Sequence, residues 1–91
     1  MVAHRKALTT ELVSFIMSNV VGHRTAFEVS DVKRDGTVFV KFRSYMNWAG
    51  ADLAAEFNRA LWKNGKLFTQ TSDVQFRLRL DQFGKGVNLA S

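Results

Sequence analysis

Apolar side chains first settle into a rhythm between Ala7 and Val21. Leu8, Leu12, Phe15 and Ile16 recur at the spacing of one helical face, Val13 and Val20 flank them, and Gly22 follows as the residue that most readily ends a helix. This predicts a first helix. Residues 1 to 6, ending in His4-Arg5-Lys6, precede the rhythm and read as a short basic arm.

The period then drops to two. Thr25 to Val32 and Thr37 to Arg43 alternate as strands do, and Asp35-Gly36 between them is a strong signal for a two-residue hairpin loop. That loop sets Arg34 against Thr37, Val32 against Phe39, Ser30 against Lys41 and Glu28 against Arg43. The other face then pairs Val29 with Phe42 and Asp31 with Val40.

Asn47 to Asn64 predicts a second helix, with Leu53, Phe57, Ala60 and Leu61 on one side and Asp52, Glu56, Arg59 and Lys63 along a solvated side. Asn64-Gly65 is its stop. Leu67 to Gln70 reads as a weak strand and Thr71-Ser72-Asp73 as a turn. Val74 to Asp81 alternates again, with Val74, Phe76, Leu78 and Leu80 on one face and Gln75, Arg77 and Arg79 on the other. Residues 83 to 91, beginning at Phe83 and carrying Gly84-Lys85-Gly86, read as a tail.

The order α-β-β-α-β-β predicts an α+β two-layer sandwich in which two helices pack on one face of a small antiparallel sheet. At 91 residues the chain supports one core, placed at residues 7 to 82. Cysteine is absent, which excludes disulfides, thiolate nucleophiles and thiolate metal sites. No apolar run reaches the roughly 18 to 20 residues of a membrane span, and the start does not resemble a signal peptide, so the expectation is a cytoplasmic protein without a membrane partner.

Thirteen Lys and Arg against eight Asp and Glu leave a net charge of +5. Such an excess favours polyanionic partners, because cations that neutralise phosphates release counterions. The alternation places the basic residues usefully. On the solvent side of the sheet stand Phe39, Lys41 and Arg43 from one strand and Arg77 and Arg79 from another. An aromatic among cations is the minimal platform for single-stranded nucleic acid, with bases stacking and cations following the backbone. Arg5 and Lys6 would add charge from the arm.

The string Gly36-Thr37-Val38-Phe39-Val40-Lys41-Phe42 shares part of the RNP1 pattern of RRM domains, departing from it at Asp35 and Thr37. No strand precedes the first helix to supply the companion motif. No family and no functional residue is assigned from it.

Catalytic chemistry has little to draw on. His4 and His23 lie far apart without metal-ligand spacing, the carboxylates are scattered, and Ser14, Ser18, Thr9 and Thr10 have no adjacent base. The expectation is therefore a non-enzymatic binding module with no catalytic residue, metal or cofactor. Its partner is nucleic acid or, alternatively, an acidic or nucleic-acid-associated protein. In the second case the chain is an adaptor or inhibitor, of the small phage or bacterial type, with Tyr45, Trp48 and Trp62 as aromatic anchors.

Overall fold

A computed structural model of the chain describes residues 2 to 85, with side chains from 4 to 84. The elements are α1 (Val2–Asn19), β1 (Phe27–Val29), β2 (Thr37–Phe42), α2 (Gly50–Lys63), β3 (Thr69–Gln70), β4 (Gln75–Arg79) and α3 (Leu80–Lys85), with a 3-10 turn at Arg24–Ala26. The strands form one antiparallel sheet in the order β1-β2-β4-β3. The chain is a small α+β domain of two layers, and the core lies between the helices and one sheet face.

Alternation builds that core from the sheet side. Phe27, Val38, Val40, Phe42, Phe76 and Leu78 point inward and are buried. The helices answer with Leu8, Leu12 and Ile16 of α1 and Leu53, Phe57 and Leu61 of α2. Phe57 meets Phe42 and Phe76 at centroid distances of 5.3 and 5.0 Å, tying α2 to both central strands. Burial of each such side chain contributes about 1.5 to 3 kcal/mol.

Local chemistry sets the ends of α2. The Asp52 carboxylate accepts the Ala49 amide at the N-terminus. At the other end Gly65 takes φ +65, Lys66 donates to the Leu61 carbonyl and Gly65 to that of Trp62, which is a Schellman stop. The helix starts three residues later than the Asn47 expected, because Tyr45 and Trp48 exchange backbone hydrogen bonds of 2.9 Å across a tight turn.

Four further expectations are corrected. The basic arm is helix: α1 extends back to Val2, and residues 2 to 6 contain no helix breaker. The Arg5 side chain is also held, its Nη1 donating to the Arg34 carbonyl at 3.0 Å. The final strand stops at Arg79, and Leu80 opens a short helix that carries Phe83 into the core against Phe15, 5.5 Å away. Residues 83 to 85 are thus part of the folded domain, and the rest of the expected tail lies outside the described residues.

The weak strand expected at Leu67 is shorter, covering Thr69–Gln70 alone. The fourth correction is the hairpin register. Glu28 faces Lys41 and Val29 faces Val40, two residues away from the expected pairing. Lys33 N–H donates to the Thr37 carbonyl and Gly36 N–H to that of Lys33, so Arg34, Asp35 and Gly36 form a three-residue loop. A two-residue loop of the Asp-Gly kind needs both residues at positive φ. Only Gly36, at +89°, takes it.

Candidate functional site

A slip of two residues leaves every side chain on its expected face, since the strand period is two. Phe39, Lys41 and Arg43 therefore point away from the core, as do Arg77 and Arg79. The sheet order brings them together: β2 lies beside β4, Phe39 directly opposite Arg77, Thr37 opposite Arg79 and Lys41 opposite Gln75. Sequence could place each residue on a face but not these strands side by side. Neighbouring strands lie about 4.8 Å apart, so the aromatic and the cations share one small surface.

The cations differ in how they are held. Arg43 pairs with the Glu28 carboxylate between two exposed side chains, the sole salt bridge among the described residues. Arg79 donates through Nη2 to the Asp35 carbonyl at 3.3 Å, which fastens the β1–β2 loop to β4. Lys41 and Arg77 are exposed and unpaired by any described carboxylate. Phe39 is half-buried, its amide bonded to the Ser30 hydroxyl at 2.8 Å. The Lys33 ammonium sits 5.7 Å from its ring centroid.

The titration of Asp35 is displaced. The Thr37 hydroxyl first, and then its amide, donate to the carboxylate, and these bonds outweigh desolvation to hold the pKa below its ordinary 3.8. Its role is to shape the loop.

Arg5 and Lys6 do not join the sheet face. They stand on α1 and line an open cleft with Lys33 and Arg34 of the loop. Lys33 and Arg34 are not among the binding residues that the sequence pattern singles out. The doublet beside Asp35-Gly36 was the available signal.

The aromatic trio is split. Tyr45 packs partly against the core and stacks on His23, while Trp48 is 39% exposed on the other side of the same turn. Between them Met46 stands 84% exposed with φ at 54°. Trp62 is 71% exposed against Phe68, twelve residues along α2 from Gly50. That separation is about 18 Å of helix.

Among the described residues no three His, Asp or Glu side chains converge as metal ligands, and no helix is long and apolar enough to cross a membrane. Comparison with models of known protein families, with curated proteins and with solved structures yields no match.

Proposed function

We propose that this domain binds single-stranded nucleic acid on the outward face of its sheet. The observation that carries the reading is the opposition of Phe39 and Arg77 across the β2–β4 pairing, with Lys41 and Arg79 beside them on the same face. A base stacks on Phe39 while phosphates meet Lys41, Arg77 and Arg79.

Magnitudes favour this exchange. Stacking a base on an aromatic contributes about 1 to 3 kcal/mol. Displacing the Lys33 ammonium from the ring costs about 0.5 to 1 kcal/mol at an exposed site. The Arg43–Glu28 pair yields just as readily, since exposed pairs are worth roughly 0 to 1 kcal/mol.

The test is fluorescence-anisotropy titration of a labelled dT12 between 50 and 200 mM salt. Affinity should fall steeply with salt, and changing Lys41 and Arg77 together to Ala should lower the log–log salt slope by about 1.4, two phosphates at 0.7 each. Equal affinity and slope for that double variant would discard the sheet face.

A second reading has one observation behind it. Met46, exposed and held at positive φ between Tyr45 and Trp48, gives an apolar turn the shape of a protein-docking knob. Under that reading the domain is an adaptor, and it binds its partner equally well after nuclease treatment. Trp48→Ala should then weaken the complex by about 1 kcal/mol or more.

A further inference from the structure

An open cleft lies off the sheet face, between the first turns of α1 and the β1–β2 loop, with a volume of about 570 Å3. Four cations line it, Arg5 and Lys6 from the helix and Lys33 and Arg34 from the loop, against Asp31 as its one acid. None of the four takes part in the molecule's described salt bridge. Four cations against one carboxylate leave a net repulsion, so the cluster costs stability until an anion enters.

Hydrogen bonding narrows which groups are available. The hydroxyls of Thr9 and Thr10 donate to the helix carbonyls of Arg5 and Lys6, and the Ser30 hydroxyl donates to the Asp31 carbonyl. These donors are already spent inside the protein. Arg5 is a brace: its guanidinium reaches across Gly36 to the Arg34 carbonyl. Lys6, Lys33 and Arg34 remain as exposed charges.

The loop that presents two of them is clamped from both sides, by Arg5 of α1 and by Arg79 of β4. The backbone that carries these cations is therefore held before a ligand arrives, which lowers the ordering cost of binding. Lys33 belongs to both surfaces, lining the cleft while its ammonium covers the Phe39 ring. A base that stacks on Phe39 releases Lys33 at the mouth of the cleft.

From these observations we infer that the cleft is a phosphodiester-binding site for the continuation of the strand held on the sheet, with Lys33 as the joint and Lys6 and Arg34 as the phosphate contacts. This rests on the proposed sheet-face function. It adds a path around the β1 edge, so that strand length governs affinity.

The experiment compares dT4 and dT12 binding by anisotropy for four proteins: wild type, Lys6→Ala with Arg34→Ala, Lys41→Ala with Arg77→Ala, and Arg59→Ala with Lys63→Ala as a control for net charge on α2. Lys6 and Arg34 are exposed, so their loss leaves the core untouched. The cleft variant should lose about ten-fold more affinity for dT12 than for dT4, and its dT12 salt slope should fall by about 1.4. The α2 control should lose the two lengths equally and slightly. A cleft variant that loses both lengths equally, or neither, overturns the inference. The sheet variant reads the other claim separately: wild-type affinity for both lengths removes the sheet face and with it the cleft as a continuation of that strand, while a sheet variant that loses both lengths beside a cleft variant that loses neither removes the cleft alone.

Discussion

Gly36 and Asp35 together decide how the β1–β2 loop closes, and each leaves a measurable trace. Gly36 sits at φ +89, and a Cβ built there meets Arg5 Nη2 at 3.3 Å. Gly36→Ala therefore strains the backbone and pushes on the guanidinium that braces the loop, at a cost of about 1 to 2 kcal/mol in urea unfolding. Asp35 acts through its charge. Its pKa is depressed in the fold by Thr37, so the unfolded chain takes up the proton first as pH falls. The stabilisation is present above the ordinary 3.8 and is lost as pH drops below it through the folded value. The stability difference between wild type and Asp35→Asn should accordingly stay constant above that pH and shrink below it. A difference that grew on acidification would contradict the hydrogen bonds to Thr37.

At the scale of elements, the short helix α3 is held by a lysine as well as by its buried Leu80 and Phe83. Lys66 Nζ donates to the Phe83 carbonyl at 2.9 Å and lies 4.7 Å from the ring centroid of the same residue. A cation bonded near a helix C-terminus contributes about 1 to 2 kcal/mol. Lys66→Met should cost that much and speed amide exchange in residues 80 to 85 before other helices respond; uniform exchange would show that α3 is held by Leu80 and Phe83 alone. This helix was also the element least legible in the sequence. Six residues are too few for a helical period to emerge, the β4 alternation runs straight into Leu80, and Gly84 looks like a breaker. Its glycine is instead a packing requirement, since a Cβ there would stand 2.5 Å from Leu8 Cδ2. The hairpin was half legible. Asp35-Gly36 marked the turn, but loop length depended on Asp35 keeping an ordinary φ, which composition does not reveal. Faces survived that error, so Phe39, Lys41, Arg43, Arg77 and Arg79 were assigned to one side correctly. That β2 and β4 adjoin is a non-local fact, settled by Phe42, Phe57 and Phe76 packing together.

For the molecule as a whole, folding and recognition draw on different forces. The core is apolar throughout except for Thr37, and the described ion pair is exposed. Stability should thus hold steady, or rise slightly as screening relieves the self-repulsion of a +5 chain, when salt goes from 50 to 500 mM. Binding of dT12 should fall over the same range. Thermal melts set beside the titrations test this opposition, and a parallel decline of both would mean that surface charge holds the fold together. The one-sided packing of the helices has a consequence for variation as well. Outward residues at the centre of β2 and β4 are bracketed by buried neighbours, Phe39 by Val38 and Val40 and Arg77 by Phe76 and Leu78. The hydrophobic letters hold the scaffold while exposed letters between them that brace no loop, such as Lys41 and Arg77, can be rewritten singly, so selection, or a combinatorial library, can retarget this surface without renegotiating the fold beneath it.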